Sequence, residues 1–351
     1  MGQIYIYGAY GYTGRLIVDE CLANGLKPVI AGRNPEKLKS FASSKGLEFS
    51  VFDVEEKEKV NQWLEDADVL IHCGGPFIHT AREMVEACLE TNTHYLDITG
   101  EYQVFDLIKK YNDVAEKKNL MLMPGAGFDV VPSDCLAAHL KGNLPSATDL
   151  QLAFASKSGS LSRGTSKTMI ENLGEPQVTR KAGEYAFNLM GTSTKRISFD
   201  DFEQIAMGIS WGDVSTAFTS TGIPNIEVFA GTTQEQITKV KKMAKLSFLL
   251  KSRIAKSFLM SKLEKKPDGP EEERRENSRM NLWGKVTDGI TISEATLTTP
   301  NGYTLTAKTS ILIAKKILAG EFKPGYQTPT TAYGKKLILE VEGCEGFNTV
   351  R

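Results

Sequence analysis

The feature that most constrains this chain is its opening. Gln3-Ile4-Tyr5-Ile6-Tyr7 is a β-rich run that breaks into Gly8, Gly11 and Gly14, and Leu16-Ile17-Val18 through Leu22 then follows in a helical pattern. A strand, a glycine turn and a helix in that order open a dinucleotide-binding βαβ unit. Gly8 is expected to make the tight turn. Gly11 would let the backbone approach a pyrophosphate, and Gly14 would let the helix pack close to the strand. Tyr10, Tyr12 and Thr13 lie inside the same turn and join the candidate cofactor residues. A helix N-terminus offers free N–H groups and the positive end of its dipole to phosphates. The spacing is G-x-x-G-x-x-G, and such turns also occur in α/β proteins that bind no nucleotide.

Composition narrows the class. At 351 residues the chain has length for a large core and for two domains. Lys+Arg total 42 against 43 Asp+Glu, a net charge of −1 that gives no reason to expect nucleic acid as a partner. No apolar run approaches the roughly 20 residues of a membrane-spanning helix, and the N-terminus enters a strand without a charged-then-apolar leader. Cys21, Cys73, Cys88, Cys135 and Cys344 are scattered without a C-x-x-C pair, which reads as reduced thiols of a cytoplasmic protein. His72, His79, His94 and His139 have no zinc-site spacing, so no metal is expected.

The next segments alternate strand and helix. Pro28–Ala31 reads as the second strand and ends in Gly32-Arg33-Asn34. An acid at this place would accept hydrogen bonds from a ribose 2′-OH and favour NAD. Arg33 instead offers a guanidinium fork for a 2′-phosphate, with Asn34 as a neutral donor, and this points to NADP(H). Leu47–Phe52 is the third strand. Asp53 after it either approaches the adenine amino group or caps the helix Glu55–Leu64. Asp68–Cys73 is the fourth strand, closing in Gly74-Gly75-Pro76-Phe77. Ligands collect at the carboxyl ends of parallel strands, so Cys73, Gly74, Gly75 and Pro76 are expected beside the ribose and nicotinamide, although a plain turn reads the same way. Helix Ala81–Thr91, strand His94–Ile98, helix Val104–Lys118 and strand Leu120–Met123 complete six strands. Asp97, Glu101, Tyr102 and Asp129 come to the rim they share.

By this point the sequence resembles the saccharopine dehydrogenase-like oxidoreductases, in particular the branch that includes trans-acting enoyl reductases. The resemblance rests on Gly-Ala-Tyr-Gly-Tyr-Thr-Gly-Arg at 8–15, Ala-Gly-Arg-Asn at 31–34, Gly-Pro-Phe at 75–77 and Tyr-Leu-Asp-Ile-Thr-Gly-Glu at 95–101. It continues through Pro-Gly-Ala-Gly-Phe-Asp-Val-Val-Pro-Ser-Asp at 124–134 and a distal part around Gly269, Arg274 and 325–334. It implies an N-terminal Rossmann domain of doubly wound parallel sheet that takes NADP(H), at about 1–135. A second α+β domain of mixed sheet, at 136–320, would hold the substrate and a homodimer contact. A C-terminal segment, 321–351, would return to the first domain. An aspartate after the sixth strand and a tyrosine after the fifth lie near the reacting carbon in saccharopine reductases. The matching positions are Asp129 and Tyr102. No basic cluster here suits a tricarboxylic amino acid, which argues against saccharopine as the substrate.

The second half is less regular. Gln151–Ser156 reads as a strand, 159–166 as a Ser/Gly loop, and 167–172 as a helix. The loop either contacts a ligand or simply caps the helix. Arg196–Phe199, Gln204–Ile209, Ser215–Ser220 and Ile226–Ala230 read as strands. Between 239 and 266 ten Lys or Arg face one acid, Glu264, and Ile237, Val240, Ala244, Leu250, Ile254 and Phe258 recur at helical spacing. A basic amphipathic helix over 237–266 could lie weakly on an anionic membrane surface or bind an acyl or phosphate-bearing substrate. It could equally bury one stripe and solvate its lysines. Residues 265–277 read as a loop or lid. Trp283–Thr287 and Thr291–Thr298 read as a hairpin, Thr304–Ala319 as a helix and Pro324–Thr331 as a loop.

The expected function is hydride transfer between NADP(H) and a small-molecule substrate at a C=C or C–N bond. Asp129 and Tyr102 would handle the proton, although Asp129 equally reads as a cap for the helix that follows and Tyr102 as a packing aromatic. The alternatives are a dinucleotide-binding sensor without turnover and a membrane-peripheral partner protein.

Overall fold

A computed structural model describes residues 2–157, 162–172, 174–244, 252–263 and 267–349. The chain divides into two compact units, the first made of Met1–Val131 with Tyr303–Tyr333 and the second of Pro132–Gly302 with Gly334–Arg351.

The first unit is built on strands β1 (Ile4–Tyr7), β2 (Val29–Gly32), β3 (Phe49–Val51), β4 (Val69–His72), β5 (His94–Asp97) and β6 (Met121–Met123). They alternate with helices α1 (Tyr12–Ala23), α2 (Pro35–Lys45), α3 (Lys57–Leu64), α4 (Ala81–Thr91), α5 (Tyr102–Lys109) and α6 (Asn112–Lys117). Every strand pair is parallel. The order 3-2-1-4-5-6 places the switch point between β1 and β4. β1 and β4 are buried along their whole length. Helices cover both faces of such a sheet, and its central strands therefore read as unbroken apolar runs. Tyr5, Tyr7, Phe52 and Trp63 form an aromatic cluster under one end, with ring centroids 5.0–6.5 Å apart.

Two features of this unit differ from expectation. A seventh strand, Gly325–Tyr326, pairs with β6 inside the segment read as loop. Gly325 takes φ +88° and donates to the Leu120 carbonyl at 2.8 Å, while Gln327 donates to Leu122. A strand of two residues has no periodicity to detect. The helix expected over 104–118 is divided at Lys110–Tyr111, where i→i−3 bonds tighten the turn and the Tyr111 hydroxyl donates to Glu86 Oε1 at 2.6 Å.

The second unit is a mixed sheet. Its path runs β10 (Thr194–Ser198), β11 (Glu203–Ile209), β12 (Asn225–Gly231), β7 (Asp149–Ala155), β13 (Arg279–Thr287), β14 (Ile292–Pro300) and β16 (Glu345–Thr349). Here β15 is the Gly325–Tyr326 strand of the first unit, and β8 (Gln177–Lys181) and β9 (Glu184–Asn188) form a side branch on β12. Gly284 sits where a Cβ would strike Leu140 and Leu136, so the helix segment 132–143 packs closely on one face. The other face buries Trp283, Phe229, Phe199 and Ile197.

The run 215–220, expected as a strand, lies in a helix, Asp213–Thr221. Its hydroxyls satisfy themselves locally. Thr219, Ser220 and Thr221 each donate to the carbonyl four residues back, and Gly222 ends the helix at φ +68°. The single helix expected over 237–266 is also corrected: Gln234–Ala244 and Arg253–Leu263 are separate helices, with Ser252 outside them. Residues 245–251 and 264–266, including Leu250 and Glu264, lie outside the described residues, as do 158–161 of the Ser/Gly loop. The segment 321–351 is split, with 321–333 in the first unit and 334–351 in the second.

Candidate cofactor and active site

The glycine turn closes by its own backbone. Gly8 takes φ +78°, donates to the Ala31 carbonyl at 2.8 Å and accepts from Gly11 N–H at 3.0 Å. A Cβ on Gly8 would lie 2.9 Å from the Cys73 carbonyl carbon and the Gly74 nitrogen, and one on Gly14 would lie 2.4 Å from the Gly8 oxygen. Both positions require glycine, since no flexible side chain stands there to give way. α1 begins at Tyr12 with Gly11 as a cap that has no side chain, and its first turn carries no acid. Its leading N–H groups therefore keep the positive dipole end unneutralised, which suits a phosphate. Thr13 and Tyr12 are half-buried in that turn, and the Tyr12 ring meets Tyr303 edge-on at 5.1 Å.

At the end of β2 the Tyr10 ring lies over Gly32, within 2.5 Å of where a Cβ would stand. Arg33 is exposed beyond it. Asn34 caps α2, its Oδ1 accepting from Lys37 N–H at 2.9 Å. Its oxygen is thus committed to the helix, which leaves Arg33 as the main group for a 2′-phosphate. Asp53 is half-buried in a turn, its Oδ1 accepting weakly from Glu55 N–H. α3 starts later than expected, at Lys57 after Glu56. Burial pushes the Tyr7 phenol pKa up, the Asp53 carboxylate adds to the effect and Arg33 opposes it, so both charges act at this corner.

The loop after β4 is the best-supported part of the rim. Cys73, Gly74, Gly75 and Pro76 follow His72, and the Gly75–Pro76 bond is cis. Cys73 N–H donates to the Tyr7 carbonyl, which extends the β1–β4 ladder by one bond. The Thr80 hydroxyl donates to the Gly74 carbonyl at 2.9 Å and stands 2.9 Å from His72 Nε2. That pattern assigns the His72 proton to Nε2. His72 is fully buried among the Tyr7, Phe77 and Tyr95 rings, and burial lowers its pKa to about 3. Both Glu101 carboxylate oxygens reach this loop: Oε1 accepts from Phe77 N–H at 2.9 Å and Oε2 from Ile78 N–H at 3.1 Å.

Asp97 ties the next two strand ends together. Its Oδ1 accepts from Thr99 N–H at 3.0 Å and Gly125 N–H at 2.8 Å, and its Oδ2 from the Tyr95 hydroxyl at 2.8 Å. Burial pushes its pKa up to about 7 against those three bonds. Asp129 is only partly exposed, and its carboxylate lies over Gly100, 2.7 Å from where a Cβ would be. Burial first, and the Glu101 charge second, push Asp129 up to about 7. Tyr102 opens α5 and is half-buried. The loop carrying Asp129 is held from the C-terminal part of the unit: Phe128 N–H donates to Thr306 Oγ1 at 3.0 Å, and Thr309 Oγ1 donates to the Ala126 carbonyl at 2.7 Å.

The candidate cofactor and catalytic residues named from sequence thus lie in the first unit, at the carboxyl ends of its strands or the turns beyond them. Sequence reasoning noted Asp97 and Glu101 on the rim without giving them a role, and it missed His72, Thr80 and Thr306. The fragment Tyr-Leu-Asp-Ile-Thr-Gly-Glu was a legible signal for the first two. Nothing local pointed to Thr306, which is 178 residues from its partner. Among the described residues no group of His, Cys, Asp or Glu could hold a metal ion.

The comparisons agree with this geometry. Residues 4–123 match the family model described as saccharopine dehydrogenase NADP binding domain. That match covers the six-stranded parallel part of the first unit, which is similar to that family of domains. A human protein named saccharopine dehydrogenase-like oxidoreductase is 24% identical over 204 residues, covering 51% of this chain and 48% of its own length. A Mycobacterium ulcerans trans-acting enoyl reductase is 28% identical over 147 residues, covering 39% and 35%. The chain therefore aligns with no more than about half the length of these relatives. Saccharopine dehydrogenase (L-Glu forming) from Saccharomyces cerevisiae shares the fold over the whole of both chains, with a TM-score of 0.70 at 13% identity.

One expectation is overturned. Relatives include a Caenorhabditis elegans lipid droplet localized protein, 27% identical over 190 residues, and an Arabidopsis thaliana protein named as probable mitochondrial, 27% identical over 154. Scattered thiols and the form of the N-terminus therefore do not assign a cytoplasmic location. Among the described residues no helix is long and apolar enough to cross a membrane.

Proposed function

We propose that the chain is an NADP(H)-dependent oxidoreductase that moves a hydride to or from a C=C or C–N bond of a small or acyl-type substrate. The observation that carries this reading is the cradle at the end of β1. Gly8 and Gly14 are positions that a Cβ would fill, and the α1 N-terminus beside them carries no acid. Gly8, Gly11 and the first N–H groups of α1 would hold the pyrophosphate. Arg33 would grip the 2′-phosphate, with Tyr10 packed over Gly32 beside it. Cys73–Pro76 would border the nicotinamide ribose. The cofactor, when bound, supplies the hydride.

What the chain supplies is position and a proton. Glu101 fixes the loop after β4, Asp97 joins the ends of β5 and β6, and Asp129 stands at the rim as the group able to give or take a proton near neutral pH. Tyr102, next to Glu101, is the second candidate for proton relay. The named activities of the relatives support an oxidoreductase, and neither they nor these residues choose between the two bond types.

The test is fluorescence titration of the purified chain with NADPH and NADH, for wild type and Arg33→Ala. NADPH should bind more tightly than NADH, and Arg33→Ala should weaken NADPH by roughly 10- to 100-fold, the loss of one or two charge-assisted bonds. NADH should be nearly unaffected. Equal loss of both cofactors would refute the assignment of Arg33, and binding of neither would remove the oxidoreductase reading.

A further inference from the structure

We propose that Thr80 is a positioning residue: it turns the Gly74–Gly75 peptide so that the Gly75 N–H faces outward at the rim and donates to an oxygen on the nicotinamide half of the cofactor. The inference deepens the oxidoreductase reading and rests on it for the identity of the ligand.

The bonds around this loop decide which of its backbone donors stay open. Cys73 N–H donates to the Tyr7 carbonyl, Phe77 and Ile78 N–H donate to Glu101, and Pro76 has no N–H. The Gly74 nitrogen lies against Gly8, 2.9 Å from where a Cβ on Gly8 would stand. Gly75 is exposed, and among the described residues its N–H meets no acceptor. Gly75 is thus the open donor between the end of β4 and the turn at Phe77.

The direction of that donor is set from the other side of the same peptide. The Gly74–Gly75 bond is trans, so its C=O and N–H point opposite ways. Thr80 Oγ1 donates to the Gly74 carbonyl at 2.9 Å. A hydroxyl has one proton to give, so the 2.9 Å contact between Thr80 Oγ1 and His72 Nε2 runs from histidine to threonine. His72 is fully buried. The Gly74 carbonyl therefore faces inward and the Gly75 N–H outward. The chain His72 N–H, Thr80 O–H, Gly74 C=O ends on that N–H, and each bond polarises the next, which makes Gly75 the stronger donor. Glu101 holds the far end of the loop at Phe77 and Ile78 and so resists rotation of the peptide.

β4 lies beside β1 on the side away from β2. With the pyrophosphate cradle at the end of β1 and Arg33 at the end of β2, a dinucleotide laid across the switch point brings its nicotinamide half over Cys73–Pro76. That half carries acceptor oxygens on its carboxamide and ribose. A donor already fixed in direction spends no binding energy on being ordered when they arrive.

The experiment compares NADPH with adenosine 2′,5′-bisphosphate, which has the adenine end and lacks the nicotinamide half, on the full chain. In Thr80→Val NADPH should weaken roughly fivefold to tenfold, the worth of one backbone hydrogen bond, while the fragment keeps its wild-type affinity. Thr80→Ser, which retains the hydroxyl, should bind both as wild type does. Equal weakening of the two ligands in Thr80→Val, no weakening of NADPH, or as large a loss in Thr80→Ser would overturn the proposal. A second readout needs no variant. Gly74–Gly75 is the chain's one Gly-Gly pair, so glycine labelled at its carbonyl carbon and its nitrogen marks the Gly75 amide alone in carbonyl-correlated NMR. That proton should move downfield with NADPH and stay in place with the fragment. An unmoved Gly75 amide at saturating NADPH sinks the proposal and leaves the oxidoreductase reading standing, whereas a wild type that binds neither ligand sinks both.

Discussion

The carboxylate of Glu101 accepts the backbone N–H of Phe77 at 2.9 Å, across 24 residues of chain. In a parallel sheet neighbouring strand ends are joined by no ladder bond beyond the last pair, so their loops need another tie. β4 and β5 are joined in this way by Glu101, and β5 and β6 by Asp97 through Gly125. The rim where ligands gather in such folds is thus braced by two carboxylates whose oxygens mostly face backbone N–H groups.

The glycine turn predicts a contrast between two alanine substitutions. Gly14→Ala would put a Cβ 2.4 Å from the Gly8 carbonyl oxygen, with backbone on both sides. It should destabilise the first unit by about 3 kcal/mol and abolish nucleotide binding. Gly25→Ala meets no atom within 4 Å and is strained only by its φ of +72°, so it should cost about 1 kcal/mol and leave binding intact. Urea unfolding followed beside NADPH titration checks both. Normal binding in Gly14→Ala would refute the close-packing role.

Thr80→Val should loosen the loop after β4. The hydroxyl serves the Gly74 carbonyl and His72 Nε2 together, and valine keeps the shape while leaving both without that partner. His72 is fully buried and the Gly74 carbonyl partly so, and leaving the two unsatisfied should cost about 2–3 kcal/mol together. Thermal unfolding should show the loss, and hydrogen exchange should be faster over 73–80. Unchanged exchange there would mean that Glu101 alone holds the loop.

Stability against pH follows from Asp97. Its folded pKa of about 7 lies above the ordinary value for aspartate, so the native state keeps a proton that the unfolded chain has lost. The stability it contributes is therefore complete below about pH 4 and disappears as pH rises through about 7. His72 has the opposite sign: its pKa is depressed to about 3, so its contribution is present above the ordinary histidine value and is lost as pH falls through about 3. Asp97→Asn mimics the protonated carboxyl and should flatten the fall in Tm between about pH 4 and 7. A fall as steep as in wild type would place its source elsewhere.

How much of this was legible varies with the range of the forces involved. The glycine turn, Arg33 and the alternation of six strands are local patterns, and the sheet order follows from them. The Gly325–Tyr326 strand could not be read, because its pairing with β6 is written in two hydrogen bonds from a distant segment. Ser215–Ser220 looked like a strand because β-branched and hydroxyl residues favour one, yet the hydroxyls bond within the turn and Gly222 stops the helix. Asp129 could be singled out by resemblance.

Activity should carry the signature of Asp129. In the reducing direction the protonated carboxyl is the useful form, so kcat should be level at low pH and fall about tenfold per pH unit above a midpoint near 7. In the oxidising direction the ionised form is needed, and the same midpoint should appear as a rising limb. Asp129→Asn should lower kcat by roughly 10²- to 10⁴-fold in either direction and erase that midpoint, while NADPH affinity stays within a few-fold because the pyrophosphate and 2′-phosphate groups are held elsewhere. The measurement is a pH–rate series on the first conjugated enone or imine that the chain turns over. A midpoint near neutral pH that survives in Asp129→Asn would move the proton to another group, with Tyr102 the next to substitute.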